Sequence, residues 1–271
     1  MWQKLYFNET IEAAIDKVIK DGLAYVHHDT GLITPNMGAM SARANWLFSG
    51  YQTMGRDCYL WHSIMFTYFG LVPKYCLERC YKVVVKVRNF RETILFHRLM
   101  NAASAHNNEI APIAGKSGMD ERTYTEEPWN AFIYADGLED ALSKYHHARK
   151  LVDECMEDGR NIRIIIKRSC TEFERAYGPT DQPFWEGITK ENLDFQRHLE
   201  DIFSGQWGSA VQPDWLKNKL TFRFIKWANT IGDKSWLDLY PEDFLTMKAV
   251  TYHPQEDLEN GTGKNQNDGG A

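Results

Sequence analysis

The sequence has no uninterrupted apolar run approaching the roughly 20 residues that cross a bilayer. Its start, MWQKLYFNET, lacks the basic stretch and apolar core of a secretion signal. A soluble, cytoplasmic chain is therefore expected, with no membrane partner. Cysteine is sparse as well: five residues, an odd number scattered over 271, do not form a disulfide framework, and free thiols are expected. A Walker loop, a dinucleotide glycine fingerprint, a zinc-protease helix motif and a serine elbow are all missing, which removes the commonest nucleotide-dependent and hydrolytic classes. No internal repeat is present, and nothing calls for a cofactor. Neither charge sign dominates. The formal net charge of -6 argues against a generally polycationic nucleic-acid binder but leaves room for a local basic face.

What is present is ample material for a core, with 43% hydrophobic and 13% aromatic residues. The patterning predicts one globular domain over 1–254. It has a helical N-terminal part (1–80), a sheet core (81–185) and a helical C-terminal part (186–254). The polar end QEDLENGTGKNQNDGGA, 255–271, reads as a disordered tail. Residues 9–22 place Ile11, Ile15, Val18 and Ile19 on one helical face and stop at Gly22. The aromatic run YLWHSIMFTYFG, 59–70, lacks two-residue alternation and reads as a buried helix.

From residue 81 the signal sharpens. YKVVVKVR alternates Tyr81, Val83, Val85 and Val87 with Lys82, Lys86 and Arg88, predicting a half-buried strand with a basic outer face. Asn89 and Glu92 have capping-box spacing for a helix over 90–106. A loop over 107–130 then leads to a short strand, NAFIYA. Asp136 and Glu139 repeat the cap spacing for a helix that Gly159 closes, and NIRIIIK forms a third strand with Arg163 and Lys167 outward. Strand, helix, strand, helix, strand over 81–167 gives an α+β or α/β fold around a central sheet. The segments 191–203 and 220–232 read as helices.

Four places can carry chemistry. The cations of two strands, Lys82, Lys86 and Arg88 with Arg163 and Lys167, would share an open surface suited to phosphates or a nucleic-acid backbone if the helices cover the opposite face. The third strand ends at Lys167 and Arg168 and runs into Ser169, Cys170, Thr171, Glu172 and Glu174, where ligands tend to bind in open sheets. A thiol beside two cations would have a lowered pKa, making Cys170 a nucleophile with Glu172 as its proton acceptor or donor. Cys76 and Cys80, with Cys58 and the histidines 27, 28 and 62, are a sparse zinc candidate without a second pair. GYQTMGRDCYLWH offers Arg56 for phosphate and Asp57 as a base, or Asp57 as a helix cap.

The blocks VPKYCLERCYKVVVKVR and IIIKRSCTEFERAYGPTD together resemble phage-encoded enzymes of thymine hypermodification, the amino acid:DNA transferases, also described as glutamyl or putrescinyl thymine pyrophosphorylases. The resemblance spans about residues 55–185 and carries over no catalytic residue. It implies a transferase that replaces pyrophosphate on a 5-hydroxymethyluracil base in DNA with the amine of an amino acid or polyamine. The setting would be the cytoplasm of an infected host. The reading from a different class is a non-catalytic nucleic-acid or protein interaction protein that grips its partner through the basic face.

Overall fold

The structure is a computed structural model that describes residues 11–36, 45–49, 59–106, 114–125, 127–179, 190–204 and 212–245. The expectations placed on Arg56, Asp57, Cys58 and the tail 255–271 lie outside the described residues. The chain divides into two compact units, Met1–Trp236 and Leu237–Ala271. In the second unit a 3-10 turn spans Glu242–Leu245, and the Tyr240 and Phe244 rings lie 5.0 Å apart.

The fold is α+β. Its strands are β1 (Ala24–Val26), β2 (Ile33–Pro35), β3 (Leu47–Ser49), β4 (Cys80–Val85), β5 (Gly115–Met119), β6 (Trp129–Asp136) and β7 (Ile164–Arg168). The helices are α1 (Ile11–Lys20), α2 (Thr67–Phe69), α3 (Lys74–Glu78), α4 (Phe90–His106), α5 (Leu138–Cys155), α6 (Thr171–Tyr177), α7 (Lys190–Ile202) and α8 (Asp214–Thr230). β1 and β2 form a hairpin of their own, and the main sheet runs β3-β5-β6-β4-β7 with every neighbouring pair antiparallel. β6 and β7 are thus parallel to each other on either side of β4, joined by α5 as the crossover. No helix among the described residues is long and apolar enough to cross a membrane.

Local chemistry explains most boundaries. Asn89 caps α4 as expected, its side-chain oxygen accepting from the Glu92 amide at 2.9 Å. The Glu92 carboxylate reaches past the cap residue to the Arg88 amide at 2.7 Å. Gly22, at φ 72, ends the segment that contains α1. Three expectations need correction. The loop expected over 107–130 contains β5, whose GKSGM sequence has little strand propensity but pairs with both β3 and β6. Asp136 does not cap α5, because Arg79 takes its carboxylate at 2.6–2.8 Å, and Asp140 accepts from the Asp136 amide instead. Gly159 does not end α5, which stops at Cys155. A Cβ on Gly159 would lie 2.0 Å from the Val152 carbonyl oxygen, so the glycine is required by close approach, and the left-handed turn residue is Asp158 at φ 55.

Two layers cover the sheet. On the face bearing Val83, Val85, Ile133 and Trp129, α4 packs through Phe90 on Trp129 and through Met100 above Gly115. On the opposite face, next to Cys80, lies an apolar cluster that includes Val18, Ile64, Met65, Phe69, Leu77, Phe173, Leu199 and Phe203. β4 is consequently buried on both sides, and the basic outer face expected of it is closed where the strand begins.

Candidate functional site

The junction between β7 and α6 builds the site. Ser169 adopts a left-handed backbone at φ 61, which a non-glycine residue adopts at some cost, and its amide donates to the Cys80 carbonyl at 2.7 Å. This sharp turn swings the chain from strand into helix with Cys170 at the cap position, where its carbonyl accepts from the Phe173 amide at 3.1 Å. Cys170 is only 6% exposed, and the Lys82 ammonium donates to its Sγ at 3.0 Å. Lys82 comes from β4, the neighbouring strand, where it faces Lys167 directly across the ladder.

Glu172 follows on the first turn of α6, and its two oxygens have different duties. Oε1 accepts from Arg122 and lies 3.4 Å from the Tyr124 hydroxyl, whereas Oε2 faces His62 Nε2 at 3.7 Å. Arg122 is itself fixed by the buried Asp120, to which it donates through Nε at 2.6 Å and through its terminal nitrogen. Two guanidinium groups approach the Tyr124 ring, Arg175 at 4.0 Å and Arg122 at 5.4 Å from its centroid. His62 rises from a π-helix, Tyr59–Phe66, a rare element that recurs at functional sites. Its ring rests against Phe173, 5.7 Å between centroids.

Electrostatics divides the two central groups. Burial pushes the Cys170 thiol up from its ordinary value, and the Lys82 ammonium pulls it back without cancelling the effect. The expected lowering of this pKa is therefore corrected: Lys167, one of the two cations invoked, is engaged by Glu174 instead, and the desolvation of Cys170 dominates. Burial also opposes ionisation of Glu172, but His62 and the Arg122 guanidinium outweigh it and hold the carboxyl well below the usual carboxylate range. The site therefore pairs a protonated thiol with a fixed carboxylate.

The remaining candidates are distributed differently. Lys86 pairs with Glu127 at 3.0 Å, and Arg88 with Glu92 and with Asp158 at 2.8 Å. Arg163 is exposed and Arg168 half-buried, with Arg168 paired across the ladder to Tyr81 on the face opposite Lys82. β4 and β7 are neighbours, so the cations do come from adjacent strands. They do not form an open plane, because Lys82 is buried at 8% exposure and Lys86, Arg88 and Lys167 are held by carboxylates. Cys76 and Cys80 are buried within the apolar cluster and are not joined in a disulfide. Asp120, Arg122 and Tyr124 were not singled out in the sequence, lying as they do in the expected loop. Their one local signal is the run Asp-Glu-Arg directly after a strand.

Comparison of the chain with protein-family models, curated proteins and solved structures gives no match.

Proposed function

We propose that the chain is a thiol-dependent transferase acting on a 5-substituted pyrimidine in DNA, exchanging pyrophosphate for an amine. The observation that carries this reading is the convergence of Cys170, Lys82, Glu172 and His62 at one strand end. The substrate class rests on the resemblance to thymine-hypermodifying enzymes. The DNA partner and the host-cell cytoplasm come with that resemblance.

The chemistry suits these groups. Cys170 Sγ bonds to C6 of the ring, its proton passing to the His62 and Glu172 pair, while the ring's double-bond electrons move toward the C4 carbonyl as an enolate. The enolate expels pyrophosphate from the 5-methylene carbon and leaves an exocyclic methylene. The amine nitrogen bonds to that carbon as an ammonium, held by the Glu172 carboxylate until its proton leaves to solvent, and the re-formed enolate collapses to restore the ring double bond and release the Cys170 thiolate. Arg122 and Asp120 hold Glu172 in place throughout. A base turned out of the duplex is needed to reach a thiol this buried.

The reading as a non-catalytic binder draws on an open cationic face, and the ion pairs of Lys86, Arg88 and Lys167 withdraw its support. The test is incubation with DNA carrying pyrophosphorylated hydroxymethyluracil and either glycine or putrescine, followed by digestion and mass analysis of the nucleosides. An aminated nucleoside that disappears with Cys170→Ser is expected. Unchanged nucleosides from wild-type protein, on DNA verified to carry the pyrophosphate, would overturn the reading.

A further inference from the structure

We infer that His62, Cys170 and Glu172 form a binding site for a divalent transition cation of the zinc class, and that occupancy shields the thiol. One nitrogen, one sulfur and one oxygen donor lie within 4.8 Å of one another. Donors around a tetrahedral zinc are separated by roughly 3.3–3.8 Å, given bonds of about 2.0–2.3 Å, so closing the set takes side-chain adjustments on the order of 1 Å. Soft sulfur with imidazole selects zinc-like ions over magnesium or calcium.

The surroundings are arranged as a support for such a set. Arg122 and Tyr124 occupy Oε1 of Glu172 and leave Oε2 turned toward His62, so the carboxylate is oriented from outside while its second oxygen faces the imidazole donor. Asp120 in turn fixes Arg122. Lys82 remains as a hydrogen-bond donor to the sulfur when the cation binds and the thiol releases its proton to solvent. The side chains of His62 and Glu172 are 33% and 26% exposed, which gives the ion a way in. Three protein donors leave a fourth position for water or a ligand atom. A thiolate that shares its electron density with a metal is a weaker nucleophile than the free thiolate, so the bound form reacts more slowly with any electrophilic partner of Cys170. The inference stands on donor geometry and does not need the transferase reading.

The experiment uses the full chain stripped with a chelator and titrated with Co²⁺. One equivalent with a sulfur-to-cobalt charge-transfer band in the near ultraviolet is expected, displaced by Zn²⁺ and lost in Cys170→Ser, with affinity at least tenfold weaker in Glu172→Gln. In wild-type protein, Zn²⁺ should protect Cys170 from iodoacetamide at least tenfold, read by mass spectrometry of its peptide. This second measurement requires no variant to fold. Absence of the band, equal alkylation with and without Zn²⁺, or a band that survives Cys170→Ser and is lost with Cys76→Ser would each overturn the inference. None of these readouts uses DNA, so their failure is separable from failure of the transfer reaction.

Discussion

Replacement of Lys82 by methionine should make the protein more stable and the site less reactive. The ammonium is 8% exposed within a sheet covered on both faces. Desolvating such a group costs several kcal/mol even after relaxation, and an apolar side chain of similar length avoids that cost. The hydrogen bond to Cys170 returns about 1–2 kcal/mol, so a net gain of about 1–3 kcal/mol is expected, or roughly 2–4 °C in melting temperature per kcal/mol for a chain of this size. The effect on the thiol has the opposite sign. A unit charge 3.0 Å from Sγ at an effective dielectric constant of about 20 favours the thiolate by at most about 5.5 kcal/mol, and a quarter of that is already about tenfold in ionised fraction. Calorimetry would follow the melt, and the iodoacetamide rate at the Cys170 peptide would follow the thiol. A Lys82→Met protein that loses more than about 2 kcal/mol while alkylating at the wild-type rate would show the lysine to be a structural support and would refute this reasoning.

His97, buried on α4 beside Lys217 and Arg98, has its pKa pushed down to about 4 from 6.5, mainly by burial. Below pH 6.5 the unfolded chain takes up a proton that the native state refuses, so about 3 kcal/mol of stability should be lost as pH falls toward 4. Urea midpoints measured across that interval should show the loss, and His97→Gln should flatten it. Gly159→Ala should destabilise by about 3 kcal/mol, because its Cβ would press on the Val152 backbone, and a chemical-denaturation curve would reveal it. Asn89→Ala should remove about 1 kcal/mol by uncapping α4, with no change in Cys170 alkylation. Asp120→Ala should release Arg122 and cost about 2 kcal/mol, and under the proposed function it should slow DNA amination more than it weakens DNA binding, a split that steady-state kinetics would resolve.

The parts of the fold that were legible are those with local causes. β4, β6 and β7 have strong apolar alternation or runs, and α4 begins at a cap read from two residues, Asn89 and Glu92. β5 was hidden because GKSGM contains two glycines and no β-branched residue; it is a strand because β3 and β6 supply partners on both edges. Gly115 is there because a Cβ would lie 2.5 Å from the Phe132 carbonyl oxygen on the neighbouring strand. Asp136 was misread as a cap because the competing partner, Arg79, is 57 residues away. Cys170 and Glu172 were visible from their position at a strand end, whereas His62, Asp120, Arg122 and Tyr124 join them only through tertiary packing that no spacing encodes.

The closed face of the sheet shows where stability is given up. Lys82 and Lys167 stand directly opposite on adjacent strands and share a face, an arrangement that destabilises an antiparallel pair. An ordinary solvated face would let both side chains spread into water. Here the apolar layer around Phe173 and Leu77 denies Lys82 that escape, and the two cations separate by partner, Lys167 to Glu174 and Lys82 to Cys170. The same turn that delivers Cys170 to Lys82 holds Ser169 in a left-handed conformation with its buried hydroxyl unpartnered among the described residues. Strain and a polar atom left without a hydrogen bond thus both fall on Ser169, directly before Cys170, and the buried ammonium of Lys82 lies against the Cys170 sulfur. Packing alone would select against each of them, and their coincidence beside Cys170 supports the role proposed for this strand end.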